Sequence, residues 1–211
     1  MASLASATTR VAAGGQRDTT HYGMRIEDNI LAPLINTLAA TSNYPQRRKD
    51  IARWNAGSPV IQRGIAITPV KFGISFTATL FNQAGALVHV YTDGSVQANH
   101  GGTEMGQGLN TKMAQVCADG LGISVDHVRI TATDSQKVPN ASATSASSGA
   151  DINGAAIMNA TAQMRERLKP VAARMLGCAE GDVTFANNEV HGGGKSVKWA
   201  DLTKQAYMER V

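Results

Sequence analysis

Four glycines fall within eight residues, at Gly101, Gly102, Gly106 and Gly108, inside the run HGGTEMGQGLNTK from His100 to Lys112. Such a density frees the backbone to take positive φ and to pass close to a bound group. The segment behind it places Leu109, Met113, Val116, Cys117 and Leu121 on one helical face and ends at Gly120 and Gly122. The first N–H groups of a helix have no partner inside it, so this start is a place where anionic groups sit. No Gly-Lys-Ser/Thr follows and the spacing is not GxGxxG, which excludes the two common phosphate fingerprints. What remains is a strand–loop–helix order with a backbone-lined loop open to a ligand.

The strand before the loop belongs to the clearest hairpin in the chain. Ala86 to Tyr91 and Ser95 to Asn99 flank Thr92-Asp93-Gly94, and Asp-Gly is the expected turn pair. Gly64–Thr68, Phe72–Leu80 and His127–Thr133 also read as strands. Earlier, Ile30, Leu31, Leu34, Ile35 and Leu38 recur at helical spacing, with Asp28 or Asn29 as the start and Pro33 in the first turn. A second helix runs from Pro45 to Asn55, with Gly57 behind it. Asp134–Ala150 is a long polar loop, of the kind that is functional or disordered. Asp151 opens the longest helix, which ends before Pro170 or kinks there and resumes to Leu176. A hairpin around Asn187-Asn188 follows, then a short helix from a capping Asp201 to Met208. Strands interleaved with helices make this an α+β, mixed layered domain. Residues 1–16 read as a flexible tail rather than a transit leader, because Arg10 is the only charge there. Residues 17–60 form a helical lead-in, and 61–211 the main domain.

Composition removes several function classes. The net charge of +4 is spread out, and the one dense basic run, Arg47-Arg48-Lys49, is followed by Asp50. That reads as a solvated helix face, and 5% aromatic content leaves little for stacking on bases. No nucleic-acid partner is expected. No apolar run is long enough to span a bilayer. Cys117 and Cys178 lie far apart with no CxxC companion, which argues against a zinc site or iron–sulfur cluster held by this chain. Both sit in apolar helical surroundings and read as buried free thiols of a reduced cytoplasm. His21, His89, His100, His127 and His191 show no metal-ligand spacing.

Two loops carry the candidate chemistry. In Gly101–Gly108, Gln107 offers donor and acceptor groups and Met105 a soft apolar wall. Thr144–Ala150 precedes a second helix start and carries Ser145, Ser147 and Ser148, whose hydroxyls and N–H groups suit phosphate. Two such starts suggest a ligand bearing phosphate or several polar heteroatoms. Glu104 reads as a structural acid of the loop rather than a general base, and His100 as a satisfied turn residue rather than a catalyst.

The octet GGTEMGQG, with KFGISFTATLFNQAGALVHVYTDGSVQANH before it and VPNASATSASSGADINGAA after it, closely resembles the molybdenum-binding part of the xanthine dehydrogenase and aldehyde oxidase family. The resemblance extends from about Arg17 to the C-terminus. It implies part of the second molybdopterin-binding region of that subunit. By resemblance, Met105, Gly106 and Gln107 match the residues that pack on the pterin and bond to it and to the metal's oxo group. Ala146, Ser147, Ser148, Gly149 and Ala150 match the loop that lies against the cofactor. Gly149 stands where eukaryotic members carry a serine, so that side-chain contact is missing. The family holds molybdenum through the pterin's dithiolene sulfurs, so no protein metal ligand is implied. Its glutamate base belongs to a Gly-Val-Gly-Glu-Pro-like segment with no counterpart here, and no catalytic residue is assigned to this chain.

The resemblance further implies a piece of a larger enzyme that oxidises a purine carbon with water as oxygen donor and passes electrons through iron–sulfur clusters and FAD to NAD. Its partners would be the rest of the molybdenum subunit and the Fe–S and FAD domains or subunits, in an oligomeric enzyme. Aldehyde oxidation is the neighbouring branch. A stand-alone module that binds a phosphorylated small ligand is the competing class. The 211 residues alone are expected to be inactive.

Overall fold

The computed structural model describes residues 18–19, 23–70, 74–137 and 141–211. The tail expected at 1–16, His21, the first positions of the strand expected at Phe72–Leu80 and residues 138–140 of the polar loop lie outside the described residues. The chain divides into two compact units, Met1–Phe72 and Gly73–Val211.

In the first unit, α1 (Leu31–Thr41) and α2 (Tyr44–Gly57) pack together around the buried Ile35 and Tyr44. The Leu31 N–H donates to Asn29 Oδ1 at 3.1 Å, but Ile30 occupies the cap position without a side-chain bond, so α1 starts two residues after the expected Asn29. The strand expected at Gly64–Thr68 does not form. Just ahead of it, the side chain of Asn55 accepts from the Arg63 N–H at 2.9 Å and donates to the Arg63 carbonyl at 3.0 Å. The Arg63 guanidinium lies 3.5 Å above the Trp54 ring centre and completes this clasp.

The second unit is α+β. Its first sheet has the order β1-β2-β3, with β1 (Ala86–Val90) antiparallel and β3 (Val128–Ile130) parallel to β2 (Val96–His100). The hairpin register pairs Ala86 with His100 and Val90 with Val96. Gly94 takes φ +86° and its N–H bonds to the Tyr91 carbonyl at 3.0 Å, closing the tight turn that Asp93-Gly94 predicts. The parallel pairing of β2 and β3 requires a crossover, which α3 (Leu109–Leu121) supplies. A second strand expected at Phe72–Leu80 is absent in its described part. There Asn82 accepts from the Phe76 N–H at 3.1 Å and donates to its carbonyl at 2.8 Å, and Thr79–Phe81 winds into a 3₁₀ turn. Here an asparagine amide takes the place of a sheet partner within the expected strand, whereas the Asn55 clasp closes on Arg63, just ahead of the other missing strand.

The longest helix, α4 (Gly149–Leu176), starts two residues before the expected Asp151 and continues through Pro170. Val171, Ala172, Ala173 and Leu176 are buried beyond the proline, and that packing offsets the roughly 3 kcal/mol a mid-helix proline costs. The expected hairpin at Asn187-Asn188 joins β4 (Thr184–Ala186) to β5 (Glu189–Gly192), and β6 (Lys195–Lys198) adds an unforeseen third strand. Because β6 runs straight into α5 (Trp199–Met208), Asp201 lies in the first turn and does not cap the helix. Within the second unit, Trp199 instead ties the two hairpins together: its N–H bonds to the Asn188 carbonyl at 2.9 Å and its indole N–H to the Gly94 carbonyl at 2.8 Å. One core runs through Val88 and Ala98 of the first sheet, Met113 and Cys117 of α3, Ile157 and Val171 of α4, Val190 of β5 and Leu202 of α5.

Candidate functional site

β2 ends at His100, which the fold buries completely. Its Nδ1 accepts from the Gly102 N–H at 3.1 Å, so the ring proton sits on Nε2 and donates to Asn110 Oδ1 at 3.1 Å. Burial pushes the imidazole pKa below its usual 6.5, keeping it neutral. His100 is therefore a satisfied structural residue joining the end of β2 to the start of α3. Gly102 is tight for a separate reason: a Cβ there would stand 2.5 Å from Leu109 Cδ2 and 2.8 Å from Asn153 Nδ2.

Between these anchors the loop turns on Gly106 and Gly108, at φ +92° and +76°. The Glu104 carboxylate is folded into this turn. Its Oε1 accepts from the N–H groups of Gly106 at 2.8 Å and Gly108 at 3.0 Å, and its Oε2 from Asn110 at 2.9 Å. These bonds, that of Asn110 foremost, hold its carboxyl below the ordinary glutamate value of 4.5. The start of α3, expected to be open to an external anion, is thus filled by the chain's own acid. That expectation is corrected by the reach of a glutamate side chain, which sequence spacing does not reveal.

Gln107 is likewise turned onto its own loop. Its Oε1 accepts from the Met105 N–H at 2.6 Å and its Nε2 donates to the Thr103 carbonyl at 3.0 Å. The N–H groups of this loop are largely used internally. The carbonyls of Glu104, Met105 and Gly106 accept from no donor among the described residues, and the Met105 side chain is 65% exposed. The loop therefore presents acceptors and one apolar, polarisable side chain.

The second loop has the opposite character. Ala146 and Ser147 both adopt left-handed backbone, each at φ +53°, a costly conformation for residues with a Cβ. The Ala146 carbonyl is held by the Ser75 N–H at 2.9 Å. Ser148 stands at the N-cap position of α4, but its hydroxyl donates to the Ser145 carbonyl at 3.1 Å and caps nothing. The first bond of the α4 ladder runs from the Ile152 N–H to the Ser148 carbonyl at 3.0 Å. The N–H groups of Gly149, Ala150 and Asp151 precede it and have no acceptor among the described residues. Beneath them Asn153 donates to the Gly149 carbonyl at 2.8 Å, while its buried Oδ1 has no partner.

The two loops meet. The Thr103 N–H donates to Thr144 Oγ1 at 2.8 Å across forty-one positions of sequence. Gly149, first residue of α4, would bring a Cβ to 3.5 Å from Thr144 Cγ2 and 3.8 Å from Leu109 Cδ2, ordinary contact distances. Met105, Gly106 and Gln107 thus lie in a loop adjoining Ala146, Ser147 and Ser148 and the first residues of α4, Gly149 and Ala150, Ser148 alone being fully buried among them. An acceptor-presenting loop beside a donor-presenting helix start suits a ligand with an N–H-rich heterocyclic edge and an anionic end. A molybdopterin fits both, and the orphaned Asn153 Oδ1 and the open N–H groups of α4 are the observations that favour it. Thr144, Asn110 and Asn153, which tie the site together, were not singled out from the sequence; a polar residue inside a Gly/Ser-rich loop or on the first turn of a helix is too weak a signal. Among the described residues no three His, Cys, Asp or Glu side chains gather as a metal-holding group.

The pattern of the molybdopterin cofactor-binding domain matches residues 37–211. The xanthine dehydrogenase of Emericella nidulans is 45% identical over 169 residues, which are 80% of this chain and 12% of that protein. The xanthine dehydrogenase/oxidase of Gallus gallus is 49% identical over 154 residues, 73% of this chain and 11% of that one. Among solved structures, quinoline 2-oxidoreductase from Pseudomonas putida 86 superimposes with a TM-score of 0.66 at 25% identity, over 91% of this chain and 25% of that one. The chain spans roughly an eighth of the length of the curated relatives it matches. A match of this extent settles the family: the chain belongs to the molybdopterin cofactor-binding domain family, of the xanthine dehydrogenase type.

Proposed function

We propose that this chain forms one wall of the molybdopterin site in an enzyme that oxidises purines. The observation that carries it is the open start of α4 beside the acceptor face of the glycine loop, within a chain whose 39–49% identical relatives bear the name xanthine dehydrogenase. Met105 packs on the pterin, the Gly106 backbone and Gln107 amide meet its heteroatom edge, and Ala146, Ser147, Ser148, Gly149 and Ala150 form the loop against its other side. The N–H groups of Gly149 and Ala150 orient an anionic group of the cofactor by the dipole and unsatisfied donors of the helix start. When bound, the cofactor supplies two-electron oxidation with oxygen drawn from water. The chain's own residues bind and orient it and shield one side from solvent.

In the intact enzyme, electrons leave through iron–sulfur clusters and FAD to NAD. The rest of the molybdenum subunit supplies the general base and the substrate clamp, because neither is assigned to a residue here. The purine branch is favoured over the aldehyde branch by the names of the similar proteins. A cytoplasmic location agrees with two free cysteines, of which the buried Cys117 has its thiol pKa pushed up to about 12 by desolvation. No helix among the described residues is long and apolar enough to cross a membrane.

The test is an anaerobic titration of the labelled chain with molybdopterin, followed by amide resonances. Weak, saturable shifts confined to 105–107 and 146–150 are expected, with no xanthine turnover, since loss of a general base alone forfeits about 10²–10⁴ in rate. An absence of shifts in both stretches sinks the binding reading. Stoichiometric molybdenum with purine turnover, after purification from a cofactor-producing host, sinks the claim that the base lies elsewhere.

A further inference from the structure

Glu104 occupies an unusual place: an exposed acid whose carboxylate is nonetheless saturated by backbone donors from both sides of a glycine turn. Three of its bonds reach Gly106, Gly108 and Asn110, the last already on the first turn of α3. Its neighbours complete the same enclosure, with the Gln107 amide clamped between the Met105 N–H and the Thr103 carbonyl. A Cβ at Gly106 or Gly108 would meet nothing within 4 Å, so side-chain crowding does not set the shape of this turn. With no packing to hold it, the turn depends on its hydrogen bonds, and most of those end on one carboxylate.

We propose that Glu104 is the positioning residue of the glycine loop: a resident anion that fills the start of α3, fixes the course of residues 105–107 before any ligand arrives, and excludes free anions from that helix start. The assignment rests on the reading of 105–107 as a ligand-facing segment, but its structural core needs no cofactor. A glutamate at this distance is itself the anion that helix starts attract, delivered from within the chain at no cost in association entropy. The loop then offers outward its carbonyl face, Met105 and the exposed Gln107 amide, whose Nε2 keeps one hydrogen beyond its bond to Thr103. Removing the acid should turn this loop from an acceptor surface into an anion trap.

The experiment uses the labelled 211-residue chain and inorganic sulfate as the probe, comparing wild type with Glu104→Ala and Glu104→Gln. In Glu104→Ala, amide exchange at Gly106, Gly108 and Asn110 should quicken about tenfold or more, while exchange in Ala98 and Cys117 stays unchanged. Sulfate should then shift those three amides saturably and restore their protection, and should leave them unmoved in wild type. Glu104→Gln keeps the volume but replaces one acceptor oxygen by a donor. It should lose protection at Asn110 or at the Gly106–Gly108 pair, not at both, and this holds if Glu104→Ala fails to fold. A merely stabilising acid would change exchange throughout the core and would gain no sulfate rescue, and that result overturns the proposal. So does wild-type exchange at all three amides in Glu104→Gln, or sulfate binding at them in wild type. Because no arm contains molybdopterin, failure of the cofactor reading would appear only in the cofactor titration and would leave these outcomes interpretable.

Discussion

The starts of α3 and α4 lie side by side and each follows a loop of small residues, glycine-rich before α3 and Ser/Ala-rich before α4, yet they are finished in opposite ways. At α3 the chain brings its own carboxylate, and Glu104 takes the N–H groups of Gly106, Gly108 and Asn110. At α4 the residue at the cap position has a hydroxyl, but Ser148 turns it toward Ser145, and Gly149, Ala150 and Asp151 keep their N–H groups. The α3 loop meets its conformational needs with glycine at positive φ, whereas the α4 loop forces Ala146 and Ser147 into the same region. A helix start is therefore available to a ligand only when the chain declines to fill it, and strain in residues bearing a Cβ marks the loop that stays open.

The largest test of this contrast lies where the loops join. Gly102→Ala drives a Cβ against buried Leu109 and Asn153, and should cost about 1–3 kcal/mol of unfolding free energy by overpacking. Chemical denaturation measures it, and a neutral result would mean that the loops are not held at one junction.

Backbone strain gives a smaller pair of opposite signs. Gly106→Ala, at φ +92° with open space around it, should cost about 1 kcal/mol from backbone alone. Ala146→Gly, at φ +53°, should gain about 0.5–1 kcal/mol by relieving the strain. Thermal melts of the two variants moving in the same direction would break the distinction between the loops.

The acid itself gives a pH signature. The folded pKa of Glu104 is depressed, so its contribution is complete above the unfolded value and is lost as pH falls through the folded one. The amides of Gly106, Gly108 and Asn110 should titrate together with an inflection below 4.5, and the inflection should vanish in Glu104→Gln. Amides of Gly149 and Ala150 should not share it. A common inflection in both loops would show that one acid serves both helix starts.

The smallest effect is expected at Gly149. A Cβ there makes only ordinary contacts with Thr144 and Leu109 and the backbone is not left-handed, so Gly149→Ser should change stability by less than about 0.5 kcal/mol. It would add a hydroxyl to the open helix start. Tighter molybdopterin binding in this variant than in wild type would place the missing serine contact at that position, and unchanged or weaker binding would remove it.

Much of the second unit was legible because its signals are local. The Asp93-Gly94 turn demands a glycine at positive φ, and the helix of Leu109–Leu121 carries its apolar face and its terminal Gly122 in plain order. The Asn187-Asn188 turn also lies where composition places it, with both asparagines at positive φ. Strands were less secure, since alternation does not say whether a partner is present. In the described part of Phe72–Leu80, Asn82 supplied the bonds to Phe76 that a strand partner would have made, and ahead of Gly64–Thr68 the chain is clasped at Arg63 by Asn55. Asp201 failed as a cap because β6 feeds α5 directly and Trp199 fixes the junction.

The sequence by itself determined the helices, the two hairpin turns, the two candidate loops and the family, because turn chemistry, helical periodicity and the GGTEMGQG octet are properties of neighbouring residues. Only the tertiary structure decided which helix start is open. That choice rests on where single side chains end: a glutamate carboxylate folded back over two glycines, a serine hydroxyl turned away from its own helix, and a threonine that joins loops forty-one positions apart. Each bond is worth little alone and depends on torsions that no spacing rule encodes, so it is fixed only once the sheet and α4 have brought the loops together.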